Sequence, residues 1–149
     1  MRTPETITTL NFLIRSCRDA EWLCRAAGAT ADGTHTRYRL RQRSEEWGRQ
    51  GDELQALVLL LGGEPAIGPT PAARLRSLWL GARAGIAGRS DPFVVEACEQ
   101  ASHRALGCYE RALGGYLPER IRRTVGMQAR QVFARCDRIV EPRGHLAAP

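Results

Sequence analysis

Three side chains have the chemistry of metal ligands, Glu21, Glu99 and His103, although His103 is alternatively an exposed or hydrogen-bonded helix residue. Carboxylate oxygens and imidazole nitrogens are the ligands that hold iron or manganese in helical bundles of the carboxylate-bridged type. Glu21 also interrupts an apolar stripe between Cys17 and Cys24, where an ionised acid is costly unless it has a partner. We therefore consider a weak single site for iron or manganese formed by these three residues.

A complete di-iron centre needs a different pattern. It takes one Glu from each of two helices and a Glu-x-x-His motif from each of the other two. That motif is absent from the sequence, and the remaining histidines, His35 and His145, fall in a predicted loop and in the C-terminal tail. The pattern therefore disfavours a di-iron oxygenase or ferroxidase. The motifs of serine hydrolases, P-loop NTPases, dinucleotide-binding proteins and zinc metalloproteases are absent as well.

Other polar side chains fall near the middle of the predicted helices. They are Ser44, Glu45, Glu99, Ser102, His103 and Gln128. Helix midpoints lie at similar heights in an antiparallel bundle, so a shared polar layer with Glu21 is one prediction. In that layer we expect Glu21 to be buried and to meet a hydrogen-bond donor, supplied by Ser102, instead of two metal ions. The alternative places Glu21 at the edge of its stripe beside an arginine.

Five helical segments must position these residues. Ala, Leu, Arg and Glu are abundant, apolar residues recur with a period of 3.5 to 3.6, and Gly and Pro cluster between the segments. The predicted helices run from Thr6–Thr9 to about Ala27, from Thr34 to Leu61, from Pro71 to Ile86, from Asp91 to about Leu113, and from Glu119 to about Val140.

The links between these helices define the predicted fold. Short links join the first pair and the last pair of long helices, whereas about 30 residues separate the two pairs, enough to travel the length of a bundle. We predict an all-α fold, a ferritin-like four-helix bundle with a long crossover between helices 2 and 3 that carries an extra short helix. Residues 1–140 form one domain, and residues 141–149 form a flexible tail.

Three stretches carry a family resemblance. They are LNFLIRSCRDAE from residue 10, ELQALVLLLGGEP from residue 53 and CEQASHRALGCYERAL from residue 98. Over about residues 8–140 the chain resembles an uncharacterised bacterial family of ferritin-like four-helix-bundle proteins. The resemblance implies that fold and no established activity. Ser102 stands where family members usually carry Glu, which implies the loss of half of a carboxylate pair if that Glu acts with Glu21.

The basic residues are all arginine, and 22 of them against 16 acidic residues give a net charge of +6. Arg37, Arg39, Arg41 and Arg43 alternate along one predicted helix, a spacing that distributes charge around the helix instead of forming one stripe. Acidic residues follow at once, so we expect ion pairs between residues four positions apart on a solvated helix face. Nucleic-acid binding is therefore disfavoured.

Targeting and redox features are few. No apolar run approaches the ~20 residues of a membrane span, and the first residues show no signal-peptide pattern, so we expect a cytoplasmic protein without membrane association. The five cysteines form no Cys-x-x-Cys pair. We expect reduced thiols that pack as small apolar side chains.

Two functional hypotheses follow. The first is a non-enzymatic helical-bundle protein with a degenerate or absent metal site, stress-related or an interaction module. The second is a ferritin-like protein that binds iron or manganese for redox or storage chemistry. We also predict a homo-oligomer, a dimer, because Trp22, Trp47, Leu75, Leu78 and Trp79 exceed the apolar volume that one small core needs.

Overall fold

The computed structural model describes residues 2–87 and 91–147, with side chains described for residues 2–82 and 92–136. It contains the helices α1 (Thr3–Thr30), α2 (Thr34–Leu60), α3 (Pro71–Ala87), α4 (Asp91–Gly114) and α5 (Glu119–Ala147). Within these described ranges there is no β-strand. The all-α bundle with an additional helix in the crossover is therefore confirmed.

Helix α1 begins earlier than predicted. It starts at Thr3 with Pro4 in its first turn, where proline's missing N–H costs nothing. The threonines predicted as capping residues do not cap the helix. Instead, the hydroxyls of Thr6, Thr8 and Thr9 donate to carbonyl oxygens four residues earlier.

The other helix ends agree more closely with the sequence. Helix α2 ends as predicted, because Gly62 adopts a φ of +79° and the Gly63 N–H donates to the Val58 carbonyl. Helix α4 begins at Asp91, whereas the predicted capping residue Ser90 lies outside the described residues. Helix α5 is described to Ala147, beyond the predicted end near Val140, and the division into a domain and a tail stays a prediction.

Helix α1 runs antiparallel to both α2 and α4. Near its start, the Asn11 side-chain amide donates to the Glu64 carbonyl, just after the end of α2. At the same end of the bundle, the Arg2 guanidinium lies 4.6 Å from the centre of the Tyr116 ring, just after the end of α4. The chain therefore crosses the length of the bundle between α2 and α4.

Helix α5 completes the bundle beside α4 and α2. Gln128 of α5 contacts Gln50 of α2, and Arg135, further along α5, pairs with Glu46, which precedes Gln50, so these two helices are antiparallel as well. Arg122 donates to the carbonyls of Leu113 and Gly115 at the end of α4, which satisfies acceptors that the helix leaves free. The order around the bundle is α1, α2, α5, α4, and the classification as ferritin-like stays a prediction.

Helix α3 packs on α1 and leaves one face uncovered. Ala73 and Leu80 are buried, whereas Leu75, Leu78 and Trp79 are exposed. The other two tryptophans that the sequence analysis counted as surplus apolar volume, Trp47 and Trp22, differ in their exposure. Trp47 is fully buried in the core, so its assignment to surplus apolar surface was wrong. Trp22 is partly exposed beneath the Arg74 guanidinium.

The core extends along all four long helices. Leu10, Ile14, Leu54, Val125 and Val132 are among its fully buried members. No helix in the described part of the chain combines the length and the apolar character needed to cross a membrane.

Candidate functional site

Glu21 lies at the interface between α1 and α2. Its side chain is 14% exposed, its Oε1 accepts a hydrogen bond from Arg18 at 3.0 Å, and its Oε2 accepts one from Arg25 at 3.2 Å. The carboxylate covers Gly48 of α2, where an added Cβ would lie 2.8 Å from Oε2. Glu21 is thus largely buried as predicted, but the expectation that Ser102 supplies its donor was wrong.

The other predicted ligands lie on α4. Glu99 is half-buried and His103 is exposed. Among the described residues, no group of three or more His, Cys, Asp or Glu side chains is placed to hold a metal ion. Each oxygen of Glu21 is paired with a guanidinium, and the described structure does not bring Glu21, Glu99 and His103 together as one group of ligands.

A different set of polar side chains meets at the centre of the bundle. Each long helix contributes one of them, Cys17 from α1, Gln50 from α2, Tyr109 from α4 and Gln128 from α5, and all are almost fully buried. We call these four residues the central polar layer. Tyr109 is its hub.

The hydrogen bonds of the central polar layer converge on the Tyr109 hydroxyl. This hydroxyl donates to Gln128 Oε1 at 2.6 Å and accepts from Gln50 Nε2 at 3.1 Å. The Cys17 thiol lies 3.2 Å from the same oxygen. Gln128 Nε2 also donates to the backbone carbonyl of Gln50 at 3.4 Å. The Tyr109 hydroxyl of α4 therefore contacts side chains from the other three long helices, α1, α2 and α5.

The ionisable groups of the layer are held in their neutral forms. Burial raises the pKa of Cys17 to about 12, although the hydrogen bond with Tyr109 and the charges of Arg135 and Arg18 oppose the shift. Burial, and then the neighbouring Cys17, raise the pKa of Tyr109 well above its ordinary value. The raised pKa values favour the protonated thiol and phenol, and both groups form hydrogen bonds in the layer.

An ion-pair cluster of two buried arginines and the partly exposed Glu46 lies next to the layer, between α2 and α5. The Arg135 Nε donates to Glu46 Oε2 at 2.6 Å, and Arg43 donates to the same oxygen at 3.2 Å. The Arg135 guanidinium also stacks over the Trp47 ring, 4.7 Å from its centre. Arg135 and Gln50 line an open cleft of about 310 Å³ at this side of the bundle.

The sequence contained part of the signal for this site. Gln128 was predicted in a polar layer, but Gln50 and Tyr109 were not, because a tyrosine in an apolar stripe counts as a core residue. A buried tyrosine hydroxyl normally requires a hydrogen-bond partner, and that rule is the signal that points to such a layer.

The thiols give a testable consequence of this packing. All five cysteines are free, and Cys108 is the only one that is not buried. The hydrogen bond with Cys24, and then burial, raise the pKa of Cys98 well above its ordinary value. Since the thiolate is the reactive form, we expect Ellman's reagent to modify one thiol quickly in the native protein and the other four only after unfolding.

The control for this experiment is Cys108→Ser, which should abolish the fast phase. Two or more fast thiols in the wild-type protein would contradict the packing described for Cys17, Cys24, Cys98 and Cys136.

A family model described as a domain of unknown function, DUF2383, matches residues 5–115. This stretch runs from the first turn of α1 to just beyond the end of α4 and includes three members of the central polar layer, whereas Gln128 lies outside it. No curated protein matches the chain.

Proposed function

The chain belongs to the DUF2383 family, whose description assigns no activity, and from its geometry we propose a non-enzymatic ferritin-like bundle that acts as an interaction module. The observation that carries this proposal is the central polar layer. Ferritin-like metal centres are built by side chains that face each other in the bundle core. Here Tyr109, Gln50, Gln128 and Cys17 fill that position and form hydrogen bonds with one another.

The alternative function is iron or manganese binding with redox or storage chemistry. The same layer weighs against it, because amide, phenol and protonated thiol groups are poor ligands for these cations compared with carboxylate and imidazole. Glu21, one of the ligands predicted from the sequence, forms ion pairs with two guanidinium groups.

Elemental analysis separates the two proposals. We expect protein purified without a tag or a chelator to contain far less than one iron or manganese per chain, and its melting temperature to be unchanged by EDTA. Stoichiometric metal that disappears in Glu21→Gln would instead establish the metal-binding function. Glu64→Gln, at a carboxylate that contacts none of the ligand candidates, is the matched control.

The proposed interactions include self-association. Leu75, Leu78 and Trp79 present an apolar surface on α3, and apolar surface of this kind is typical of protein interfaces. A dimer mass in light scattering that reverts to a monomer in Leu75→Ser/Leu78→Ser supports this part of the proposal. A strict monomer at high concentration removes it.

A further inference from the structure

A small cleft lies between α1, α4 and the start of α3. Its volume is about 200 Å³. The buried side chains of Leu23, Ala73 and Ala101 form part of its lining, and Phe12 and Cys108 add further apolar surface. The cleft can therefore contact the apolar body of a small molecule.

Three arginines line the same cleft, one from each helix: Arg15 of α1, Arg76 of α3 and Arg104 of α4. Within the part of the chain that the structure describes, none of them forms an ion pair with a carboxylate. Burial lowers the pKa of Arg104, and the neighbouring positive charge of Arg76 lowers it further. Like charges held together in this way attract an anion.

Asp19 carries the one carboxylate among the described lining residues, and both of its oxygens are already engaged. Oδ1 accepts from the Thr70 backbone N–H at 2.7 Å, and Oδ2 accepts from the Thr70 hydroxyl at 3.1 Å. These bonds hold the segment that leads into α3. Asp19 moderates the repulsion around Arg104 but neutralises none of the arginines by direct pairing. Three arginines and one carboxylate leave a formal charge of +2 in the lining.

We propose that this cleft binds a small phosphate monoester, with Arg76 and Arg104 holding the phosphate and the apolar lining contacting the organic group. Guanidinium groups match phosphate oxygens in charge and in the geometry of paired hydrogen bonds. A phosphate monoester carries close to two negative charges at neutral pH, which complements the lining. The volume restricts the ligand to a small molecule. This inference does not depend on the absence of a metal centre.

Titration calorimetry with phenyl phosphate in phosphate-free buffer tests the proposal. We expect saturable binding, about tenfold tighter than that of benzoate or inorganic phosphate, and none with phenol. Arg76→Gln/Arg104→Gln should weaken phenyl phosphate binding by about tenfold or more, since hydrogen bonds to charged groups are lost. Arg120→Gln/Arg130→Gln removes the same charge from exposed positions on α5 and should change binding by less than about twofold.

Several results would overturn the assignment. Equal weakening in the two double variants would show that the overall charge of the protein, and not this cleft, determines the affinity. If benzoate binds as tightly as phenyl phosphate, the site recognises a carboxylate and not specifically a phosphate. Equal affinity for inorganic phosphate would remove the role of the apolar lining. If the Arg76/Arg104 variant does not fold, amide chemical shifts of the wild-type protein decide the matter. Changes at Ser16, Ala73 and Ala101 on addition of phenyl phosphate support the site, and their absence excludes it.

Discussion

Tyr109→Phe lowers the free energy of unfolding by about 2–4 kcal/mol, because it removes one oxygen and leaves several buried groups without their partner. Gln128 Oε1 loses its donor and Gln50 Nε2 loses its acceptor, and both side chains are almost fully buried. The aromatic ring and its packing are retained, so the loss reports the hydroxyl. For a chain of this length, we expect the melting temperature to fall by about 5–15 °C.

Tyr116→Phe is the matched control for this variant. Tyr116 is 49% exposed, and its stacking contact with Arg2 needs only the ring. We expect its effect to stay within about 0.5 kcal/mol in chemical denaturation. Equal effects of the two substitutions would show that the central polar layer contributes nothing to stability.

We expect Glu46→Gln to lower the free energy of unfolding by about 2–4 kcal/mol, which is more than the loss expected when its partner Arg135 is removed. The carboxylate pairs with Arg135, whose side chain is 5% exposed, and with Arg43, and the substitution leaves the buried Arg135 charge without this compensation. Arg135→Met removes the charge itself and keeps an apolar chain over Trp47, so its cost should be smaller.

Denaturant unfolding of both single variants and of Glu46→Gln/Arg135→Met measures this difference. We expect the double variant to be about 1–3 kcal/mol more stable than the sum of the single effects predicts. Glu53→Gln makes the same substitution at an exposed position of α2 and should be almost neutral. A larger loss in Arg135→Met than in Glu46→Gln would contradict the role given to the buried charge.

The two variants address neighbouring polar groups of different character. The central polar layer is neutral and joins all four long helices, whereas the cluster around Glu46 is charged and joins α2 to α5. We expect buried polar groups of either kind to favour one register among those that the apolar faces alone would tolerate. Because the layer contains one residue from each helix, it provides a physical reason for a single arrangement of this bundle.

The arginines show how one residue type serves different purposes in this chain. Arg122 satisfies the carbonyl groups at the end of α4, and Arg37 donates to the carbonyl of Ala31 between α1 and α2. Arg18 joins Glu21 to Asp52 across the α1–α2 interface. Each of these arginines thus has a role within the fold, and the prediction that nucleic-acid binding is disfavoured stays a prediction.

Much of the fold was predictable from the sequence because helix formation and termination depend on nearby residues. The positive φ of Gly62 ends α2 where the sequence placed its end, and the apolar positions Leu10, Ile14, Cys17 and Cys24 are all buried. The length of the connection between α2 and α4 was enough to predict the crossover, since a chain of that length can travel along the bundle.

The partner of each polar side chain was decided only by the tertiary structure. A shift of one position along a helix rotates a side chain by about 100°, so a stripe read from sequence does not tell whether Glu21 faces the bundle centre or the edge. The structure turns Glu21 toward Gly48 and two arginines, which was the alternative left open by the sequence. It also joins Cys17 to Tyr109, which lie 92 residues apart in the chain. Local sequence determined where the helices begin and end. Their packing sets the rotation of each helix about its axis and its position along the bundle, and only this packing determined that a tyrosine and not a carboxylate occupies the centre.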